Sequence, residues 1–371
     1  MTVLERPLSA HGNVSRDALR RTVFLIAATA ALLGVLGAIT ANKQLFLYKD
    51  VLGLSAGAVG TLALIINIPA YLQPFMGGLS DFYPLFGWHR RTYFALASVV
   101  QALGYAGLMS LHHYHYAVLV CLLLIAGSGG AMASVLINAA MVSVGNRTGT
   151  FGPLQALSQF TPLALSLIYT GNLDGYVTQN WTYSHTFGVA ALLSLAFVPL
   201  SLLLDDRRVA SGRATAEETA ARLAAKNAER EGTRAALRDA ARTPGLWVIT
   251  AFLFYLYVTP LLMTASVFYQ TDVLHLSKDF IGRLDKWGAA GSLVGLLAFG
   301  AVSRKLPVRM LVWGAVVSDC AVYLCMMTMH NAASVRYAVF GANFMGCSWR
   351  SASTLWRRGR VLRRLKARST G

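Results

Sequence analysis

The clearest chemistry in this chain is a set of opposite charges spaced by turn formers. Residues 73–93 read QPFMGGLSDFYPLFGWHRRTY. Gly77 and Gly78 end an apolar run, and Asp81 follows. Pro84 and Gly87 set a turn, and His89, Arg90 and Arg91 lead into the next apolar run. A carboxylate at a helix end accepts hydrogen bonds from a guanidinium and can face a neighbouring helix N-terminus. Such a group joins two elements in one state and releases them in another, which is the chemistry of a gate. The plainer reading is that these charges only fix which end of a helix hairpin stays in water. There is no nucleophile–base–acid set and no Walker lysine, so neither an enzyme nor a nucleotide-driven pump is expected, and no cofactor is implied.

Other polar residues sit inside apolar stretches. Gln73, Asn138, Gln101, Gln155, Gln159 and Tyr255 are candidates to line a polar path, although each type also serves as a helix–helix hydrogen bond. Asp319, within WGAVVSDCAVYLCMM, is the acid best placed for proton coupling, because a lone acid at membrane depth must face the bundle interior or a partner. His112, His113 and His115 read as a wet loop rather than a metal site, since no Cys or acid lies near them in sequence. The stretch GSGGAMAS at 127–134 reads as small-residue helix packing. Cys121, Cys320, Cys325 and Cys347 read as buried packing thiols. No metal site is expected.

These residues require membrane-spanning helices to position them. The chain has 371 residues, 55% hydrophobic and 13% charged, about half the charge of a soluble globular protein. Apolar runs recur at roughly 22–41, 54–79, 93–111, 116–142, 152–171, 185–204, 246–269, 286–302 and 309–329, with part of a tenth near 335–345. The runs are continuous rather than alternating, so the expected class is an all-α, multi-pass transmembrane bundle and not a β-barrel. The lipid bilayer is then the solvent of the fold. The net charge of +17 does not point to nucleic acid. Eight of the basic residues lie between Arg350 and Arg368, and most others sit in loops that would share one side of the membrane. That asymmetry places the N-terminus in the cytoplasm of a cell-membrane protein.

The expected organisation is a cytoplasmic tail (1–21), an N-terminal half (22–204), a charged helical linker (205–243), a partial C-terminal half (244–346) and a basic tail (347–371). The linker has a capping pattern at Thr215 and Glu218. The segment 172–184, with Asp174 its sole charge, reads as a loop on the non-cytoplasmic side.

GGLSDFYPLFGWHRR is echoed weakly by FGAVSRKLPVRM after the eighth run. It resembles the loop between helices two and three of the major facilitator superfamily, whose halves are parallel repeats. The longer string YKDVLGLS through IPAYLQPFMGGLSDFYPLFGWHRRTY resembles the folate–biopterin transporter family. So does FLFYLYVTPLLMTASVFYQTDVLHLSKDFIG, and the likeness covers about residues 40–300. The resemblance implies a secondary transporter of a small polar or anionic organic solute, folate- or pterin-like, coupled to H+ or another ion. It also implies a cytoplasmic gate at Gly77, Gly78, Asp81, Pro84, Gly87, Arg90 and Arg91. Two positions depart from the family pattern. Gln73 stands where a Lys is usual, and Asn138 where an Asp is usual. Losing both charges together is coherent, because an unpaired charge at membrane depth costs about 3 kcal/mol. The expectation is that Gln73 and Asn138 face a central cavity and bond to each other or to the solute. After ANFMG the apolar pattern stops. Residues 347–371 are read as an out-of-frame product, a basic segment on anionic lipid, or an artefact. The alternative function is accordingly a truncated, transport-incompetent remnant or a membrane partner protein.

Overall fold

A computed structural model of the chain describes residues 16–73, 75–77, 90–148, 150–167, 171–204, 264–302 and 308–346. The described residues are helical throughout, joined by short turns. Before residue 205 come α1 (Arg16–Phe46), α2 (Ala56–Ile66), α3 (Arg91–Ser110), α4 (Tyr116–Thr148), α5 (Phe151–Leu165), α6 (Gly171–Asn180) and α7 (Tyr183–Leu195). After residue 263 come α8 (Thr264–Asp272), α9 (Lys278–Val302), α10 (Val308–Met327) and a helix over 332–346, α11. The first group is called the N-set below and the second the C-set. Successive spans run alternately up and down, with α5 and α6 together making one span. The turns at 47–55, 111–115, 181–182 and 273–277 therefore lie at one end of the bundle, termed the distal end.

Each helix begins and stops for local reasons. α1 has 31 residues, more than a bilayer core needs, and its first turns carry Arg16, Arg20 and Arg21 out of the apolar run. It widens into a π-turn over Leu47–Val51, and Gly53 takes φ 64°, a left-handed conformation suited to glycine. Ser55 then caps α2 by accepting from the Ala58 amide. Asn67 and Pro69 interrupt this second span, which resumes as Ile68–Tyr71 and reaches Gly77. Four described stretches are long and apolar enough to cross a membrane by length and composition: Arg20–Val51, Arg91–Ser110, Tyr116–Gly145 and Tyr183–Leu203.

Packing follows membrane rules. Large apolar side chains such as Leu103, Leu192, Leu297 and Leu324 lie exposed on the outside, where lipid takes the place of a protein partner. Small residues hold the helices together. A Cβ on Gly104 of α3 would lie 2.6 Å from the backbone nitrogen of Ala126 in α4, and Gly129 fits as closely against Ala97 and Gln101. The GSGGAMAS stretch thus seats α4 on α3.

The structure corrects three readings. Most of 172–184 is not a loop: Gly171–Asn180 is helix α6, following α5 in the same direction, and Asp174 is fully buried. Hydropathy misreads GNLDGYVTQN because its polar groups are satisfied inside the bundle rather than by water. Cys121 and Cys320 are exposed rather than buried, because an apolar run in lipid needs no protein cover. The eighth span starts two turns before residue 286, at Lys278, with its charged residues Lys278, Asp279, Arg283, Asp285 and Lys286 arranged around a helix. The linker 205–243 and the tail 347–371 lie outside the described residues.

Candidate functional site: the polar seam between the helix sets

At the distal end the N-set and C-set meet on a glycine pair. Gly175 of α6 and Gly282 of α9 approach so closely that a Cβ on Gly282 would lie 2.5 Å from the Gly175 Cα. One on Gly175 would lie 2.7 Å from the carbonyl oxygen of Asp279. No larger residue fits at either position without moving a backbone.

Beside this contact sits a buried polar group. Asn42 Nδ2 in α1 donates to Asp174 Oδ2 at 2.5 Å, and Thr178 Oγ1 donates to Asp174 Oδ1 at 3.2 Å. Each carboxylate oxygen thereby has a partner, which a buried carboxylate requires. The Asp285 carboxylate of α9 is near enough to interact electrostatically with Asp174 across the seam. Next in sequence to Asn42, Lys43 is 5% exposed. Its ammonium donates to the carbonyls of Val177 at 3.5 Å, Thr178 at 3.1 Å and Trp181, and it lies 4.9 Å from the Tyr183 ring centroid. A cation on the last carbonyls of a helix satisfies acceptors that have no partner within the helix and opposes the helix dipole. Lys43 thus fixes the end of α6, and Asn42 fixes the acid one turn earlier.

Further out, two lysines cross the seam in opposite senses. Lys49, after α1, donates to Thr271 and to Asp272 at the end of α8. Lys278, opening α9, donates to Asp50. Each also lies over a ring of the opposite set: Lys49 over Phe268 at 4.8 Å and Lys278 over Phe46 at 5.0 Å. Phe268 packs with Leu36, Leu47, Leu62, Tyr105 and Phe187 of the N-set, an apolar seal behind the charges.

The hydrogen bond from Lys49 holds the Asp272 carboxyl below the usual carboxylate range, helped by Thr271 and by the charge on His275. Asp50 and Lys278 are the other charged groups of this cluster. A depressed carboxyl contributes its stabilisation above its unfolded pKa, about 3.9, and loses it as the pH falls through the lower folded value. The expected result is a stability gap between the parent chain and Asp272→Asn that is constant near neutral pH and closes below about pH 4. Thermal melts of both proteins across that range would show it; a gap that widens in acid would contradict the pairing.

The residues expected from sequence fall elsewhere. Gln73 is half-buried, Asn138 on α4 is exposed, and among the described residues no hydrogen bond joins them. Gln101 is buried against Gly129 and Gly130. Gln155 on α5 is half-buried and Gln159 is exposed. Gly77 packs toward Val135 of α4, and Arg90 and Arg91 open α3, where the Arg90 carbonyl accepts from the Phe94 amide at 2.9 Å. Gly78, Asp81, Pro84, Gly87 and Tyr255 lie outside the described residues, as does the side chain of Asp319 in α10. His112, His113 and His115 are exposed in the 111–115 turn, and no His, Cys, Asp or Glu group suited to a metal occurs among the described residues. Asn42, Lys43, Asp174 and the crossed lysines were not among the expected site residues. Asn42 and Lys43 stand at the very end of the first apolar run, which is the signal that marks them.

The sequence that builds this arrangement matches a known family. Residues 33–332 match the BT1 family. The chain belongs to the BT1 family. A curated relative, "Folate-biopterin transporter" of Synechocystis sp., is 26% identical over 292 residues, covering 77% of this chain and 56% of that protein. "Folate transporter 1" of Plasmodium falciparum is 20% identical over 275 residues, covering 72% of this chain and 50% of that protein. This BT1 chain thus spans about half the length of the curated relatives it matches. Among solved structures, the nucleoside transporter NupG superposes with TM-score 0.62 at 13% identity, covering 90% of this chain and 82% of its own. A D-xylose-proton symporter gives 0.58 at 12% identity, covering 90% and 81%. At those identities the likeness is one of fold. The BT1 chain thus has the all-α fold of those transporters, and its family and its long apolar helices make it a multi-pass membrane protein.

Proposed function

We propose that this chain is a secondary carrier of a small polar or anionic organic solute, folate- or pterin-like. It works by alternating access in the cell membrane with its N-terminus in the cytoplasm. The observation that carries the reading is the BT1 match, which runs through both helix sets and across the seam that joins them. Orientation rests on the sequence alone: the 78–91, 205–243 and 303–309 segments are rich in Lys and Arg, and the segments that alternate with them are poor in both. We assign the gate motif around Asp81, Arg90 and Arg91 to the cytoplasmic side. A carrier with closures at both ends can expose a central site to either side in turn. Gln73, Asn138, Gln155 and Gln159 are the amides we assign to the solute path. Asp319 is the acid we assign to proton coupling, because an ionisable group in an apolar helix calls for a functional partner.

The test uses the full chain in proteoliposomes. Folate and simple pterins raise the melting temperature in a concentration-dependent way, stabilising the folded chain by about 2.7 kcal/mol at a hundredfold excess over Kd, while xylose and nucleosides do not. An acid-outside pH gradient drives pterin accumulation, and Asp319→Asn removes that drive while leaving solute exchange. Stabilisation by a sugar or nucleoside and not by a pterin would overturn the substrate class.

A further inference from the structure

The crossed ion pairs are built from a duplicated turn. F-x-x-x-D-V-L-x-L-S occurs at Phe46–Ser55 and again at Phe268–Ser277, followed each time by a branched residue, Gly, and Leu two positions later: Val59, Gly60 and Leu62, then Ile281, Gly282 and Leu284. The two copies fold alike. Leu52 N donates to Leu47 O at 3.1 Å, as Leu274 N does to Tyr269 O at 3.1 Å. Leu54 N donates to Tyr48 O at 3.0 Å, as Leu276 N does to Gln270 O at 3.0 Å. The residue between the two leucines has positive φ in both, 64° at Gly53 and 51° at His275. The serine caps the next helix in both, accepting from Ala58 N at 3.4 Å and from Phe280 N at 3.2 Å.

In each turn the aspartate and the phenylalanine one helical turn before it belong to the repeat, and the lysine that binds them comes from the other set. Lys49 takes Asp272 and Phe268; Lys278 takes Asp50 and Phe46. The lysines themselves do not repeat: Thr271 stands where Lys49 does, and Ala56 where Lys278 does. The turns are therefore equivalent receptors, each filled by an arm of its opposite. The remaining ion pair nearby, Arg283 with Asp279 at 2.9 Å, stays within α9 and does not cross.

We propose that the two turns form a mutual clasp that holds the distal end shut and sets the balance between distal-closed and distal-open states. Two ion pairs, each with at least one partner open to water, and two ring contacts give a modest, breakable closure, which suits a gate better than a permanent joint. The clasp rests on the carrier reading for its purpose, but its existence is read without any solute.

Val51 and Val273, the matching exposed valines of the two turns, accept spin labels in a full chain whose four cysteines are replaced by serine. Distances are measured by double electron–electron resonance in nanodiscs. The parent gives one short-distance population. In Lys49→Met/Lys278→Met the open-to-closed ratio rises about tenfold, equivalent to about 1.4 kcal/mol, as a second, longer distance. Two charge swaps, Lys49→Asp with Asp272→Lys and Asp50→Lys with Lys278→Asp, restore the short distance. They keep the test decisive should the double-Met chain fail to fold. A double-Met chain with the parent's distances, or swapped chains that stay open, overturns the clasp. Absence of pterin uptake by a chain whose clasp responds as described overturns the carrier reading instead.

Discussion

Gly282→Leu is expected to force α6 and α9 apart and to abolish distal closure. The nearest atoms to a Cβ at this position are the Cα and nitrogen of Gly175, at 2.5 and 2.6 Å, and both belong to a helix backbone that cannot rotate aside. Even Gly282→Ala overpacks the contact and should destabilise by about 1–3 kcal/mol. Gly60 supplies the control. It is the counterpart of Gly282 in the duplicated sequence, yet a Cβ there meets nothing within 4 Å. Gly60→Ala should therefore be neutral or stabilise by about 0.5–1 kcal/mol, since alanine is the better helix former. Melting curves of the two alanine variants in the same detergent decide the matter. Equal effects would mean that the glycine contact does not hold the sets together. Gly282→Leu is then followed by the Val51–Val273 distance, which should lengthen.

Asn42→Leu is expected to be costly out of proportion to its size. It removes the donor to one oxygen of a fully buried carboxylate and leaves Thr178 alone to serve Asp174. Removing one hydrogen-bond partner of a buried polar group costs about 1–3 kcal/mol, because the desolvation of the remaining group is no longer offset. Removing both leaves no orphan. Asn42→Leu/Asp174→Leu should be less destabilised than the sum of the single changes, with a coupling of at least about 1 kcal/mol. Asp174→Asn keeps the shape while removing the ionisable carboxyl, and separates a role specific to the acid from a packing one. Chemical denaturation of the four proteins supplies the cycle. Strict additivity would show that the contact does not couple α1 to α6.

Much of the fold is legible in the residues, for a physical reason. A helix facing lipid must be apolar along its length, so α3, α4, α7 and α10 stand out as runs whose limits fall within a few residues of the helix ends. Hydropathy misleads where a membrane protein satisfies polar groups within itself. α6 reads as a loop because Asn172, Asp174, Thr178 and Gln179 count as water-facing in any hydropathy sum, whereas Asp174 and Thr178 bond to each other and Asp174 to Asn42. The first two turns of α9 are missed for the same reason. Cys121 shows the converse error: apolar neighbours say that a residue avoids water, not that protein covers it. The seam is hardest to foresee, since it depends on segments 222 residues apart. Its signature is nonetheless present as the repeated D-V-L-x-L-S, which is visible once sought and means little until the two copies are seen to face each other.

The fastening of α6 by Lys43 has a consequence for how this sequence can change. All three of its hydrogen-bond acceptors are main-chain carbonyls, those of Val177, Thr178 and Trp181. Every residue type carries that oxygen. The side chains along this stretch can therefore be exchanged without loosening the joint, and the whole burden of identity falls on a single lysine in a different helix. Substitution is thus tolerated on one side of the contact and forbidden on the other, so paired changes would not reveal that the two helices touch.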